Sequence, residues 1–246
     1  TITLPDATGT LLNSDGSAAS LTAIPAANIT GTLPAISGAS LTGVRDTTGG
    51  RKNFIINGNF QVSQRGDYTS ATALTSSSVY HLDRFASKIG TISGTLTHKP
   101  DQTVNGKVTD TMLLTATSTA TGKAETKQAF EEQQIFKSQT VTFSAWVKSD
   151  TTNARLVLHQ NGPNIQTNSN AHTGGGSFEL LQGTVTLASN SNDIYLYAGI
   201  QAAGTGNCSI SSGDYFEMAF VQLELGSVAT DFEHRSYGEE LALCQR

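Results

Sequence analysis

The stretch VTFSAWVKSD, residues 141–150, decides the fold class because apolar side chains occupy every second position from its start. These apolar positions are Val141, Phe143, Ala145 and Val147. Successive side chains of a β-strand point to opposite sides, so this period of two predicts a strand with one face in a core. Trp146 is then expected on the face opposite Phe143.

Three further stretches alternate in the same way, namely ARLVLHQ (154–160), DIYLYAGI (193–200) and DYFEMAFVQLELG (214–226). In the last of them, Phe216, Met218 and Phe220 are expected on the core face. Weaker strands are predicted around residues 54–62, 82–97, 108–117, 125–130 and 178–187. Turn sequences such as QNGPN and HTGGGS separate the strands, and no helical stretch lies between them. The pattern predicts an all-β head with a jelly-roll β-sandwich fold.

The composition of the 246 residues argues against several classes of protein. Charged residues make up 14% of the chain, and its net charge is −5. A mildly acidic chain lacks the basic stripe of a nucleic-acid-binding protein, so no nucleic-acid partner is expected. Because no stretch reaches the roughly 20 apolar residues of a membrane span, membrane insertion is not expected either.

The first fifty residues differ from the rest and form a predicted domain of their own. They contain short related phrases of small residues with isolated aliphatic ones, such as IPAANITG (24–31) and LPAISGASLTG (33–43). Such a segment cannot bury its apolar side chains alone, so three copies are expected to intertwine as a β-rich trimeric shaft over residues 1–50. A disordered linker is the alternative. The jelly-roll head is expected over residues 51–230.

Residues 231–246 are predicted to form a polar strap followed by the start of a short C-terminal helix. Ser236 and Glu239 have the spacing of a capping box, and GEELALCQR contains good helix-forming residues. Because these residues run to the end of a chain that begins with Thr1, we expect a fragment of a longer protein.

The stretch NFIINGNFQVSQRG (53–66) is predicted to lead the chain from the shaft onto the sandwich. Phe54, Ile56 and Phe60 are expected to anchor a first strand, and Asn57-Gly58-Asn59 to form a bend with positive φ. Arg65 is expected to form a buried or half-buried pair with a carboxylate near Asp83. Binding of a sugar carboxylate by Arg65 is the alternative.

Alternation also identifies candidate ligand-binding residues. If the strands 141–150, 154–160 and 193–200 share one sheet, the side chains on its outer surface include Trp146, Arg155, His159, Tyr195 and Tyr197. Aromatic rings beside polar side chains suit a glycan, although core or subunit packing of these rings is the alternative. The polar loop 161–177, with His172, is a second candidate because long loops on a rigid scaffold often carry recognition.

No pattern of catalytic residues occurs in the sequence. The carboxylates are scattered over turns, no GxSxG elbow or phosphate loop is present, and the histidines lack metal-ligand spacing. The sequence therefore predicts a protein that is not an enzyme and that needs no cofactor or metal.

Two motifs carry a resemblance to a known family. NFIINGNFQVSQRG with YHLDRF (80–85), and VQLELGSVATDFEHRSYGEELALCQR (221–246), resemble the opening and closing signatures of phage tail-fibre and virion appendage heads. The stretch between them is similar to a carbohydrate-binding-module-like jelly roll. Phe85 departs from the family pattern, which often has Trp there.

This resemblance implies a homotrimeric fibre in the virion that acts outside the cell. Its tip would adsorb to a bacterial surface polysaccharide or lipopolysaccharide, and its N-terminal end would join other virion tail proteins. Two alternatives stay open: a secreted bacterial carbohydrate-binding module, and a purely structural virion appendage.

Overall fold

The computed structural model describes residues 52–131 and 133–245, so the predicted shaft at residues 1–50 lies outside the described residues. The strands of the head are, in chain order, β1 (Thr72–Ala73), β2 (Val79–Tyr80), β3 (Ala86–Ile89), β4 (Gly94–Val104), β5 (Lys107–Ala116), β6 (Ala120–Gly122), β7 (Ala124–Ala129), β8 (Thr140–Ser149), β9 (Ala154–Gln160), β10 (Ile165–Asn168), β11 (Phe178–Thr186), β12 (Ile194–Ile200), β13 (Cys208–Ile210) and β14 (Tyr215–Leu225). Short 3-10 helices span Gln133–Phe136 and Ala203–Thr205, and the helix α1 spans Tyr237–Cys244.

The strands form two six-stranded antiparallel sheets, which we call sheet A and sheet B. The strand order is β1-β4-β5-β14-β8-β11 in sheet A and β10-β9-β12-β7-β3-β2 in sheet B, while β13 and β6 form a separate pair. Apolar side chains from both sheets, among them Phe143, Leu156, Leu196 and Phe216, pack into one core. The predicted all-β, jelly-roll β-sandwich is confirmed.

The alternation in β8 has the predicted consequence. Its four apolar side chains at positions 141, 143, 145 and 147 are fully buried, whereas Trp146 lies on the outer face of sheet A. Each large apolar side chain buried in this way stabilises the fold by about 1.5–3 kcal/mol relative to its exposure in water.

Strand β14 contains a β-bulge that the sequence did not reveal. Its pairing with β8 shifts register between Ala219 and Gln222, and Phe220 has a φ of 52°. One extra residue reverses which side chains face the core. Val221 and Leu223 therefore enter the core, and Phe220 lies on the outer face of sheet A. The expectation that Phe220 shares the core face of Phe216 is wrong.

The opening motif is irregular rather than the first strand that was predicted, although it contains the predicted bend. Asn57 and Phe60 have positive φ values of 60° and 58°. Ile55 and Phe60 are fully buried in the core, whereas Phe54 only packs against it. Ile56 belongs to a separate cluster of buried residues beside the helix α1.

The side chain of Asn53 fixes this motif to β14. Its amide nitrogen donates to the carbonyl of Val221 at 3.1 Å. Its amide oxygen accepts from the backbone N–H of Leu223 at 3.1 Å and from that of Ile55 at 2.9 Å. The amide therefore holds the chain across the bulge.

The predicted buried pair between Arg65 and the carboxylate of Asp83 is wrong. Arg65 is exposed, and Asp83 instead accepts hydrogen bonds from the backbone N–H of Gln64 at 2.5 Å and from its side chain at 3.2 Å. Residues 64–67 are all exposed, so Arg65 lies in a turn at the surface.

The buried arginine is Arg235, in the predicted C-terminal strap. Its guanidinium donates to the carbonyl of Ile55 at 3.0 Å and to the carboxylate of Glu240 at 3.2 and 3.3 Å. It also contacts Glu233 at 3.3 Å and donates to the carbonyl of Asn53. The strap thus joins the opening motif to the helix.

The helix α1 begins as predicted. Ser236 and Glu239 form a capping box: the Ser236 hydroxyl accepts from the N–H of Glu239 at 3.3 Å, and the Glu239 carboxylate accepts from the N–H of Ser236 at 2.9 Å. Within the described ranges, no helix has the length and apolar character needed to cross a bilayer.

Candidate functional site

The predicted single surface of aromatic and basic side chains is divided between the two sheets. Trp146 lies on β8 of sheet A, whereas Arg155 and His159 lie on β9 and Tyr195 and Tyr197 on β12 of sheet B. The expectation is therefore wrong for Trp146. It is right for the other four residues, because β9 and β12 are hydrogen-bonded neighbours.

The outer face of sheet B carries a row of rings, which we call the aromatic face: His159, Tyr195 and Tyr197. Tyr195 lies directly opposite His159 in the antiparallel pairing. The ring centroids of Tyr195 and Tyr197 are 6.1 Å apart, and those of His159 and Tyr197 are 6.2 Å apart. Because β12 is paired on both sides, with β9 and β7, the tyrosines project from a fixed backbone.

Lys127 on β7 belongs to the same face, and the sequence analysis missed it. It pairs with Tyr197 across the strands, and its Nζ lies 5.0 Å from the ring centroid of Tyr195 and 5.6 Å from that of Tyr197. An ammonium group over aromatic rings is attracted to them, which holds the Lys127 side chain against this face. In AETKQA (124–129), charged residues alternate with uncharged ones, and this pattern was a signal that the Lys127 side chain points outward.

The imidazole of His159 is held in place by the β9–β10 hairpin. Its Nε2 lies 3.0 Å from the Oδ1 of Asn164, and β10 pairs with β9 from Ile165 onward. The ring therefore has a defined orientation beside Tyr197, and its other nitrogen remains for another partner.

The tyrosine hydroxyls are protonated on this face. Burial raises the pKa of Tyr195, and the nearby Asp193 carboxylate raises it further. Burial also raises the pKa of Tyr197, with a smaller contribution from Glu125. Both hydroxyls therefore donate and accept hydrogen bonds across the physiological pH range.

His172 does not form a recognition site, contrary to expectation. Its side chain is buried, its Nδ1 accepts from the backbone N–H of Gly174 at 2.8 Å, and its Nε2 bonds the carbonyl of Ser177 at 2.9 Å. The ring therefore closes its own loop, and neither nitrogen is available to a ligand.

Trp146 packs chiefly against protein. It contacts a cluster that contains Phe220, Phe178 and Phe232 on the outer face of sheet A. A pocket of about 110 Å³ lies beside it, lined also by Lys107 and by partly exposed Leu180. These contacts favour the alternative interpretation of Trp146, in which its ring packs against protein and does not contact a ligand.

Among residues 52–131 and 133–245, no group of three or more His, Cys, Asp or Glu side chains is placed to hold a metal ion.

No protein-family model matches the sequence, and no curated protein matches it. Among solved structures, the enzymatically active domain of tailspike protein 4 of bacteriophage CBA120 is similar at 11% identity and a TM-score of 0.44, over 71% of this chain and 21% of that chain. A family 11 carbohydrate-binding module of a Clostridium thermocellum cellulase is similar at 12% identity and a TM-score of 0.40, over 66% of this chain and 98% of the module.

A xylan-binding domain of carbohydrate-binding-module family 22 is similar at 12% identity and a TM-score of 0.41, over 68% of this chain and 99% of that domain. Such low identities and TM-scores carry no argument about function.

Proposed function

We propose that this protein binds a glycan through the outer face of sheet B and has no catalytic activity of its own. The observation that carries the proposal is the aromatic face itself, in which Tyr195, Tyr197 and His159 lie side by side on paired strands.

Aromatic rings combine apolar faces with polar edges, which matches the mixed surface of a sugar ring. The faces pack on sugar C–H groups, while the tyrosine hydroxyls and the Lys127 ammonium supply hydrogen bonds to sugar hydroxyls. The paired strands fix the tyrosine backbone before binding, so little backbone ordering is needed when the ligand arrives.

At a finer level, we propose that the protein is the distal part of a phage tail fibre that mediates adsorption to a bacterial surface polysaccharide or lipopolysaccharide. The two end motifs and the small-residue phrases of residues 1–50 support this proposal. We also propose a homotrimer joined to other virion tail proteins at its N-terminal end. Three weak sites presented together would give avidity far above that of one site.

The experiment is a binding assay on an array of bacterial surface polysaccharides that includes acidic and neutral members. We expect the wild-type protein to bind at least one of them without shortening it. Tyr195→Ala and Tyr197→Ala should each weaken that binding roughly tenfold, the effect of about 1.4 kcal/mol, because each removes a ring from the face.

Tyr237→Ala is the matched control, since Tyr237 is 55% exposed at the start of the helix α1, outside sheet B. It should bind like the wild type. The proposal fails if no polysaccharide on the array binds, or if the two sheet B variants bind as well as the control. Shortening of a bound polysaccharide would contradict the absence of catalysis.

A further inference from the structure

The charge around the aromatic face differs from that of the whole protein. The chain has a net charge of −5, yet basic side chains surround the rings of sheet B. Those on the outer face or its rim are Arg65, Lys88, Lys123, Lys127 and Arg155.

Two of these cations share one carboxylate, so the three groups together keep a charge of +1. The Glu125 side chain is 1% exposed, and its oxygens lie 3.1 Å from the Nζ of Lys88 and 3.1 Å from the Nζ of Lys123. This carboxylate therefore has no capacity left for the other basic groups of the face. Asp193, which directly precedes β12, is close enough to Tyr195 to raise the pKa of its hydroxyl.

The other three cations have no ion pair with any described residue, and each lies beside a ring or in line with the rings. Lys127 lies over Tyr195 and Tyr197. Arg65 lies at the rim of the face, with its Cζ 5.5 Å from the ring centroid of Tyr80. Tyr80 itself lies on β2 and is 48% exposed.

Arg155 lies beyond the rings along the strand direction. It lies on β9 opposite Gly199, and Gly199 is two residues beyond Tyr197 on the same face of β12. Its Nη2 donates to the carbonyl of Thr152 at 3.4 Å and its Nε is buried without a partner, so the other terminal N–H groups of the guanidinium are those left for a ligand. Cations thus flank the aromatic face on both sides and also lie at its centre.

We propose that the ligand of this face is a polyanionic glycan, whose carboxylate or phosphate groups pair with Lys127, Arg65 and Arg155 while its sugar rings pack on the tyrosines. The proposal rests on the proposed glycan-binding function and specifies the chemical class of the glycan. An acidic polymer with regularly spaced charges would meet several cations at once, and a neutral polymer would leave them without partners.

The experiment uses the polysaccharide that binds most tightly on the array, in three forms. The first is native, the second has its uronic acid carboxyls reduced to alcohols, and the third is dephosphorylated. We expect one of the two treatments to weaken binding at least tenfold, and which one does so identifies the anionic group. Affinity for the native form should also fall several-fold between 50 and 300 mM salt, because exposed charges are screened.

Lys127→Gln, Arg65→Gln and Arg155→Gln should each weaken binding of the native form about two- to fivefold, as expected for an exposed ion pair. Lys107→Gln is the matched control, since Lys107 is exposed on β5 of sheet A. If the preferred polysaccharide is neutral, or if both treatments leave its affinity unchanged, this inference is wrong although the glycan-binding function stands. If Tyr195→Ala and Tyr197→Ala have no effect, the proposed function itself fails.

Discussion

Arg235 is the residue whose removal should affect folding most. Its side chain is 8% exposed and that of its partner Glu240 is 4% exposed. Replacement by alanine leaves the Glu240 carboxylate buried without its counter-charge, which costs about 3–5 kcal/mol. We therefore expect Arg235→Ala to lower the free energy of unfolding, measured by urea denaturation, by that amount.

Arg65→Ala is the matched control for this measurement. Arg65 is exposed and has no ion pair with any described residue, so its removal should change the free energy of unfolding by no more than about 0.5 kcal/mol. Equal losses in the two variants would contradict the assignment of the buried pair to Arg235.

Single side chains were predictable where local alternation decides their direction. Tyr195 and Tyr197 were placed correctly on the outer face because both lie within one regular strand. His172 was not predictable, because its exposure depends on how the backbone of its loop folds around the ring. The bond from Arg235 to the carbonyl of Ile55 was also hidden, since Ile55 lies 180 residues away in the chain.

At the scale of elements, the contact between the opening motif and the bulge of β14 makes a second prediction. A Cβ atom added at Gly58 would lie 2.2 Å from the carbonyl oxygen of Val221. The backbones of Gly58 and Val221 are held close together because the N–H of Val221 donates to the carbonyl of Gly58 at 2.8 Å. Gly58→Ala should therefore destabilise the protein by about 1–3 kcal/mol, through the backbone shift that it forces.

Gly238→Ala provides the comparison, since a Cβ at Gly238 meets nothing within 4 Å and the residue lies in the helix α1. Alanine there should stabilise the protein by up to about 1 kcal/mol, because glycine is a poor helix former. Urea denaturation of both variants tests the pair. A Gly58→Ala variant as stable as the wild type would show that the motif does not pack this tightly on β14.

The elements that the sequence predicted well have local signals that define their position, whereas the position of those it missed depends on distant contacts. The helix α1 begins at a capping box that four consecutive residues specify. The bulge at Phe220 is marked only by a change of phase: the apolar positions of DYFEMAFVQLEL are even up to Phe220 and odd from Leu223 onward. The uninterrupted apolar run 218–221 fits either phase, so the neighbouring strands determine where the register shifts. Distant contacts also decide the conformation of residues 54–62, and for this reason a strand was wrongly expected there.

At the scale of the whole molecule, the proposed homotrimer predicts the mass in solution. Light scattering of the full chain should give three times 25.8 kDa, because the apolar residues of the proposed shaft need other copies to bury them. In guanidinium chloride the mass should fall to that of one chain. A single-chain mass without denaturant would contradict the trimer.

The arrangement of strands into sheets was beyond the reach of the sequence. Each of the strands β8, β9 and β12 was recognised, and the fold class followed from their number and spacing. Which of them share a sheet depends on long-range pairing: β8 lies between β14 and β11, while β9 lies between β10 and β12. Trp146 was assigned to the wrong surface for this reason alone.

The link between the two ends of the head has a consequence for the order of folding. The backbone N–H of Asn53 donates to Glu233 across 180 residues, and β14, the last of the described strands to be synthesised, lies in the middle of sheet A. During synthesis β5 and β8 emerge without the strand that separates them, so neither can complete its pairing until residues 215–225 leave the ribosome. We therefore expect the centre of sheet A to form late and slowly, since its contacts join residues far apart in the chain.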